Sequence, residues 1–351
     1  MTSPPAIAPL YVFDETWLAA QQEAILDPDR PIIDPHHHLW DHTGRYLFDE
    51  LLADVRTGHN IRATVFIQCR SMYRADGPEE MRCVGEVEFI NGAAARSASG
   101  LYGSSRLCAG IVGHADLTLG ADAAPVLDAL LAAGNGRLRG IRNSAVWHED
   151  TSIKTTPQTP PKGLLLDAKF RDGVRELEAR NLSFDSWMYF TQLQDLADLA
   201  GAFPNTHFVL DHCGGVLGIG VHAGRREADF PQWKAAIVDL AKRPNVSVKL
   251  GGLAMRSAGF GLHDRPVPLS SPQMAALWQP YVETCIEAFG VERCMFESNF
   301  PVDKSGTGYA ALWNAFKLIA ADCSADEKHA LFFETANRFY RLGVEPAAAM
   351  S

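Results

Sequence analysis

Eight short apolar, β-branched runs alternate along this chain with helix-length stretches, and this alternation constrains the fold more than any other feature. The helix-length stretches carry apolar residues at i, i+3 and i+4 spacing, which is typical of helices that bury one face. Strands separated by such helices form a parallel sheet. The predicted strands are Pro31–Asp34, Ala63–Gln68, Leu107–Val112, Leu138–Arg142, Leu182–Trp187, His207–Asp211, Val246–Leu250 and Cys294–Ser298.

Eight strand–helix units predict an α/β chain that folds as a closed (β/α)8 TIM barrel. An open doubly wound sheet would alternate in the same way, but neither G-x-G-x-x-G nor a P-loop follows the first strand. We expect a single barrel domain over residues 30–342, between an N-terminal extension (1–29) and a C-terminal tail (343–351). A final helix over Ala325–Leu342 is expected to pack on the barrel exterior.

Three connections are longer than the usual few residues, and all follow predicted strand ends: Val146–Ala168, Gly214–Asp229 and Leu253–Ser271. The carboxyl ends of barrel strands form the catalytic face of this architecture. We therefore expect these long βα loops to cover the substrate and select it.

Charge and apolar patterning exclude several classes of protein. Lys and Arg number 32 against 42 Asp and Glu, and no basic run occurs, which argues against nucleic-acid binding. No apolar run approaches the ~20 residues of a membrane span, and residues 1–10 lack the features of a signal peptide. The seven cysteines include no C-x-x-C pair and are interpreted as reduced. We therefore expect a cytoplasmic protein that binds neither nucleic acid nor membrane.

The first predicted strand ends in three consecutive histidines, in the sequence D-P-H-H-H. Side chains alternate along an extended chain, so His36 and His38 share one face while His37 points to the other. Two imidazoles at this spacing can bind one cation, and Asp34 on their face can add a ligand or orient a histidine. A solvated histidine-rich turn is the alternative, but three histidines at the end of a buried strand are hard to satisfy without a purpose.

The sixth predicted strand ends in L-D-H-C-G-G, where an apolar run stops and a glycine pair turns the chain. His212 lies where barrel residues reach the central site, so it can complete a three-histidine set with His36 and His38. On its own it would be interpreted as a satisfied structural histidine. Strict alternation points Asp211 away, to the outside of the barrel or to the cap of a neighbouring loop.

Other polar residues stand at or just past strand ends. Arg142 closes the fourth strand with a planar fork that suits a substrate carboxylate or a lactone carbonyl. Arg70 and Tyr73 follow the second strand and His114 follows the third, and for these a surface role is as plausible as substrate binding. Lys249 lies inside an apolar run, so we expect a carboxylate or a bound substrate beside its ammonium group.

Four motifs, in this order, resemble the amidohydrolase superfamily: D-x-H-x-H at the first strand, L-D-H-x-G-G at the sixth, V-K-L-G-G-L at the seventh and E-S-N-F-P-V-D at the eighth. The pattern is most similar to the branch that includes 2-pyrone-4,6-dicarboxylate lactonase and L-fuconolactonase. This resemblance implies that an activated water opens an ester or amide, with a divalent metal in some members and none in some lactonases. It implies His36, His38 and His212 as metal ligands or oxyanion donors.

The chain departs from the family pattern at two positions. Asn299 stands where the family has an aspartate, and an amide cannot take a proton from water. Asp303, four residues later, is the candidate replacement. Gln68 stands where relatives with a V-E-C ending place a carboxylate, and is a candidate substrate contact. No histidine occurs within Ser183–Phe190, which argues against a binuclear centre.

These observations predict a hydrolase that opens a small carboxylated lactone or ester, either with a divalent metal (Zn, Mn or Fe) or without one. The three histidines would bind the metal or polarise the carbonyl, Asp303 or Asp34 would serve the water, and Arg142 would anchor an acidic group. Two alternatives stay open: an iron- or manganese-dependent oxygenase on the same ligands, and a catalytically weakened partner subunit with amides in place of acids. We expect a homo-oligomer.

Overall fold

Hydrogen bonds between the ends of the first and last strands close a sheet of eight parallel strands, which follow one another in chain order. The backbone N–H of His38 donates to the carbonyl of Phe300 (2.7 Å), and the N–H of Asn299 donates to the carbonyl of His36 (2.9 Å). This computed structural model describes residues 13–42, 44–156 and 158–346. Residues 1–12 of the predicted extension and 347–351 of the predicted tail lie outside the described residues. The predicted (β/α)8 barrel is confirmed.

Each barrel strand is followed by a helix. The strands are β1 (Pro31–His37), β2 (Asn60–Ile67), β3 (Arg106–Gly113), β4 (Leu138–Arg142), β5 (Ser183–Ser186), β6 (Phe208–Leu210), β7 (Val246–Leu250) and β8 (Cys294–Phe296). The helices are α1 (Phe48–Val55), α2 (Val84–Ala98), α3 (Ala124–Gly134), α4 (Ala168–Ala179), α5 (Leu193–Ala202), α6 (Arg226–Leu240), α7 (Ser271–Phe289) and α8 (Tyr309–Ile319). A helical turn (Glu15–Leu18) precedes β1, and a hairpin of Trp40–Asp41 with Arg45–Tyr46 precedes α1.

Alternation along the strands divides the apolar residues into two layers. In β6, Phe208 and Leu210 pack outward against the helices, whereas Val209 lies in a separate cluster inside the barrel. Met295 of β8 belongs to the same inner cluster. Two residues beyond these inner apolar side chains stand Asp211 and Glu297, both completely buried. The lumen is therefore apolar near the amino ends of the strands and charged near their carboxyl ends.

The C-terminal segment, helical from Ala325 to Phe339 with a π-turn over Ala330–Glu334, closes the amino-terminal mouth of the barrel. Phe333 and Tyr340 pack in the inner cluster, so the prediction that this segment lies only on the exterior is wrong. Arg341 donates to backbone carbonyls just before β5 and within β4, which fixes the segment beneath those strands. A barrel of eight strands leaves an interior that side chains must fill, and this segment supplies part of that filling.

The chain before β1 is fastened to the outside of the last two barrel helices. Glu23 accepts hydrogen bonds from the backbone N–H of Ser271 (2.6 Å) and from the amide of Asn314 (3.3 Å). The ammonium group of Lys317 donates to the carbonyls of Leu26 and Asp27, both at 2.8 Å. The described part of the N-terminal extension is thus tied to α7 and α8 by buried polar groups.

One stretch, Leu117–Gly134, is long and apolar enough by composition to cross a membrane. Its backbone breaks at Gly120, where φ is 64°. The regular part, α3, has 11 residues, which gives a length of about 16 Å against about 30 Å of bilayer hydrocarbon. Val126, Leu127 and Leu130 of α3 are buried in the protein. The stretch is therefore a core helix of the barrel.

Replacing Phe333 by Ala tests whether the C-terminal segment is part of the barrel core. The ring is completely buried among inner-cluster residues, so its removal leaves a cavity and lowers the free energy of unfolding by about 3–5 kcal/mol. Urea unfolding measures the change. Leu166→Ala, at a side chain that is 47% exposed, is the matched control and should change stability by less than about 1 kcal/mol. Equal effects of the two substitutions would contradict the assignment.

Candidate active site

One buried carboxylate joins two of the predicted site histidines. Glu297 Oε2 lies 2.7 Å from His36 Nδ1, and Glu297 Oε1 lies 2.7 Å from His212 Nδ1. Burial alone would raise the pKa of Glu297, but the two imidazoles outweigh it and lower this pKa to about 2. Burial and the neighbouring Lys249 ammonium lower the pKa of His36 to about 4. A carboxylate anion therefore holds a neutral His36 at pH 7.

The same tautomer is imposed on all three imidazoles. A carboxylate or a carbonyl only accepts hydrogen bonds, so His36 and His212 each donate Nδ1–H to Glu297, and His38 donates Nδ1–H to the carbonyl of Ile67 (2.8 Å). Each ring keeps the lone pair of Nε2. The centroid of the His36 ring lies 5.0 Å from that of the His38 ring and 4.5 Å from that of the His212 ring. The predicted meeting of the three histidines is confirmed.

Below the histidines lies a layer of paired charges. Lys249 Nζ is 2.7 Å from Asp185 Oδ2 and 3.0 Å from Asp211 Oδ1, and all three side chains are completely buried. Burial would lower the pKa of Lys249, but the two carboxylates outweigh it and raise it. Arg142 Nη1 lies 3.3 Å from Asp211 Oδ2, and its Nη2 donates to the carbonyl of Gln68 at 2.5 Å. The carboxylate expected beside Lys249 is thus present.

The prediction that Asp211 points away from the lumen is wrong. Its carboxylate contacts Lys249 and Arg142, and its ligand atom lies within 4.8 Å of those of His36 and His212. Alternation from the inward Val209 places Asp211 inward as well. The prediction took His212 as the inward residue of the strand, whereas its imidazole reaches the site through a left-handed backbone with φ of 59°.

The prediction that Asp34 shares the face of His36 and His38 is wrong. Its carboxylate accepts from the backbone N–H of Ser298 (2.9 Å) and from the hydroxyl of Tyr309 (2.9 Å) rather than facing the imidazole rings. The pairing of β1 with β2 is irregular between Asp34 and His37, so the parity assumed from the sequence does not hold there. His37 does point away from the pocket, as predicted, and its Nε2 lies 2.8 Å from Thr64 Oγ1.

Asn299 and Asp303 form a buried pair beside His212. Asn299 Nδ2 donates to Asp303 Oδ1 (2.9 Å), and the N–H of Ala254 donates to Asp303 Oδ2 (3.1 Å). Burial raises the pKa of Asp303 to about 7, although His212 opposes the shift. Since the amide nitrogen is committed to Asp303, Asn299 Oδ1 is a buried acceptor that lacks a hydrogen-bond partner among the described residues. The pair offers one carboxylate that titrates near neutrality.

The remaining candidates lie toward the rim, and their role in substrate binding stays a prediction. Gln68 Oε1 is buried and lacks a partner within residues 13–42, 44–156 and 158–346. His114 Nδ1 lies 3.1 Å from the backbone carbonyl of Arg142, at the end of β4. Arg70 is exposed and donates to Gln158 (2.6 Å), whereas Tyr73 is half-buried just past β2.

Three buried acids of the site region were missed in the sequence. Glu297 stands two residues after the inward Met295, and Asp185 lies inside a predicted strand, so lumen parity could have indicated both. Glu86 of α2 accepts from the N–H groups of Cys69 (3.0 Å) and Ser71 (2.8 Å), and burial raises its pKa to about 7. Nothing in the local sequence distinguishes Glu86 from an exposed helical glutamate.

The glycine pair after β7 lets the site residues approach the backbone. A Cβ at Gly251 would overlap the side chain of Glu297, and a Cβ at Gly252 would overlap the side chain of His212. Gly252 also has a φ of 66°, in the left-handed region. The V-K-L-G-G-L motif therefore places the Lys249 ammonium group in the lumen, and its two glycines leave room for the side chains of Glu297 and His212.

Gly252→Ala should displace His212 and destabilise the barrel. Overlap and the strained backbone together should lower the free energy of unfolding by about 1–3 kcal/mol, as overpacked sites do. Gly92→Ala is the control, because Gly92 lies in α2 with open space around its Cβ position. An alanine there should stabilise the helix by about 1 kcal/mol. Chemical denaturation measures the change in the free energy of unfolding in each variant. Stabilisation by both substitutions would contradict the close approach of His212 to the backbone at Gly252.

Comparison with known proteins identifies relatives over almost the whole chain. The family model described as Amidohydrolase matches residues 33–342. The chain is 33% identical over 337 residues to the protein y4mH of Sinorhizobium fredii, covering 90% of this chain and 99% of that protein. It is 29% identical to an L-fucono-1,5-lactonase of Burkholderia multivorans, covering 69% of this chain and 74% of the lactonase.

Among solved structures, an amidohydrolase from Burkholderia multivorans with bound zinc has a TM-score of 0.67 and 25% identity, covering 88% of this chain and 99% of that one. The family match, the lactonase likeness and the fold agree with the motifs quoted from the sequence. This chain therefore belongs to the amidohydrolase family.

Proposed function

We propose that this protein is a metal-dependent hydrolase that opens a small carboxylated lactone or a related ester. The observation that carries the proposal is the shared carboxylate of Glu297, which fixes His36 and His212 so that each keeps an Nε2 lone pair. That of His36 faces Arg142 Nη1 at 3.3 Å. Imidazoles whose other nitrogen is bonded to a carboxylate or carbonyl are typical of metal sites. The likeness to L-fucono-1,5-lactonase supports a lactone as the substrate.

The residues of the site fit one divalent cation. Imidazole nitrogens and a carboxylate oxygen are donors that zinc, iron and manganese accept, and those of His36, His212 and Asp211 lie within 4.8 Å of one another. The layer of paired charges and Glu297 together carry three carboxylates (Asp185, Asp211, Glu297) and two fixed cations (Lys249, Arg142), which leaves one negative charge to be balanced. His38, with the same tautomer, is the further candidate ligand.

A metal bound by these residues would lower the pKa of a coordinated water and polarise the substrate carbonyl. Asp303 would take the proton that water loses, since its pKa of about 7 suits a general base and its two oxygens have acceptor capacity beyond their two bonds. Asn299 Oδ1 would accept a hydrogen bond from the water or from a substrate hydroxyl. Arg142, fixed by Asp211 and Gln68, would face the acidic group of the substrate, with Arg70 at the rim.

Separate replacement of the neighbouring residues His36 and His37 tests the metal assignment. We expect about one zinc per chain in protein purified without chelators, and His36→Gln should lower both the metal content and lactone hydrolysis at least tenfold. His37→Gln is the matched control, because His37 turns to Thr64 on the opposite side of the strand and should retain the metal.

Elemental analysis and a screen of small lactones give the answer. Unchanged metal in His36→Gln would contradict the ligand assignment, and a metal-free active parent would favour the metal-free lactonase mechanism. Iron at about one per chain together with oxygen consumption would favour the oxygenase alternative instead.

Asp303→Asn tests the general base. The carboxyl of Asp303 should be ionised above pH 7, so hydrolysis by the parent should rise as pH passes through about 7 and then level off. Loss of a general base lowers kcat by about 10²–10⁴-fold and should remove that rise from the pH profile. Asp116→Asn, at an exposed N-cap that Asn also satisfies, should keep it. A pH profile that is unaltered in Asp303→Asn would contradict this role.

A further inference from the structure

A column of hydrogen-bonded side chains connects the C-terminal segment with the site at the opposite end of the lumen. Its lowest member is Tyr340, whose ring is completely buried in the inner cluster. The Tyr340 hydroxyl donates to Asp185 Oδ2 at 2.6 Å. The same oxygen accepts from Lys249 Nζ at 2.7 Å. A residue outside the eight barrel strands is therefore one carboxylate away from the buried ammonium group.

The column continues upward into the site. Lys249 Nζ lies 3.0 Å from Asp211 Oδ1, which accepts from it. His36 Nδ1, itself a donor to Glu297, is a close neighbour of the ammonium group at 3.2 Å. Asp211 in turn faces Arg142 at 3.3 Å. The position of the ammonium group thus decides how much negative charge Asp211 presents to the histidines.

The orientation of Asp185 depends on few contacts. Both of its hydrogen bonds fall on Oδ2, and Oδ1 lacks a hydrogen-bond partner among the residues that the structure describes. The terminal torsion of an aspartate is broad, so it needs such contacts to be fixed. Lys249 adds a flexible stem, and its Nζ lies 5.5 Å from the centre of the Tyr340 ring, within the range of a cation–π contact. Tyr340 therefore restrains the ammonium group twice, through Asp185 and through its ring.

We propose that Tyr340 is a positioning residue for the hydrolytic site: acting through Asp185, its hydroxyl holds the Lys249 ammonium group against Asp211. The inference rests on the proposed function and deepens it, since it makes the C-terminal segment part of the catalytic apparatus. A residue that only filled the mouth of the barrel would act through its ring, and Phe would replace it without loss of activity.

The test compares two buried tyrosines whose hydroxyls each donate to an aspartate that is paired with a lysine. Tyr340→Phe keeps the ring and removes the hydroxyl. Tyr46→Phe is the matched control: the buried Tyr46 hydroxyl also donates to an aspartate, Asp54 (2.7 Å), whose carboxylate lies 3.0 Å from a lysine ammonium group, Lys304. The two variants should lose similar stability on heating. Only Tyr340→Phe should lower kcat, at least fivefold, with KM within twofold of the parent.

Asp185→Asn should lower kcat at least as far, and adding Tyr340→Phe to it should have little further effect, because the two residues act in series. A kcat for Tyr340→Phe within twofold of the parent, or equal to that of Tyr46→Phe, overturns the inference.

A readout without substrate separates this inference from the proposed function. In protein labelled with ¹³C at lysine Cε, the Lys249 resonance is assigned by its loss in Lys249→Met or, if that variant does not fold, in Lys249→Arg. The resonance should move in Tyr340→Phe and stay in place in Tyr46→Phe. An unmoved resonance overturns the inference whether or not lactones are hydrolysed. A moved resonance without hydrolysis by the parent overturns the proposed function alone.

Discussion

The carboxylate of Glu297 and the charges beneath it can exist in the lumen only as a mutually compensating set. Burying one isolated ion is strongly unfavourable, whereas paired and hydrogen-bonded ions are tolerated. Glu297 contacts two imidazoles, and Asp211 contacts both Lys249 and Arg142, so every member has a partner of opposite or polar character. Removing one partner would leave an uncompensated charge at a cost of about 3–5 kcal/mol. The same interactions that stabilise the lumen therefore fix the tautomers and positions that chemistry would use.

Backbone geometry at the strand ends serves this set of charges. His212 and Asn299 both adopt left-handed conformations, with φ of 59° and 54°, immediately after β6 and shortly after β8. Asparagine enters that region more readily than most residues, so the backbone alone gives a reason for an amide at position 299. The glycines at 251 and 252 give the space into which Glu297 and His212 fit. The turns that end the strands thus aim side chains that simple alternation would send elsewhere.

The geometry of these strand ends explains which features of the fold and the site could be predicted from the sequence. Periodicity identified all eight strands, because each buries a regular apolar pattern, and the His36/His38 pair followed from alternation within a strand. Asp211 was misplaced because His212, assumed to face inward by alternation, reaches the lumen through a left-handed turn, and Asp34 because an irregularity interrupts β1. Tyr340 could not be found at all, since its contact with Asp185 joins residues 155 positions apart and depends on how the C-terminal segment folds under the barrel.

An amide rather than an acid stands at position 299, and it is hydrogen-bonded to a buried acid, Asp303. At position 299 a carboxylate would stand beside His212 in the strand-end turn, where a bound metal would keep it ionised and occupied. With Asn299 there, the acid bonded to this position is Asp303, one helical turn on, held by the amide of Asn299 and the N–H of Ala254. Burial raises the pKa of Asp303 to about 7, against the opposing effect of His212. A carboxyl group with that pKa is suited to exchanging a proton near neutral pH.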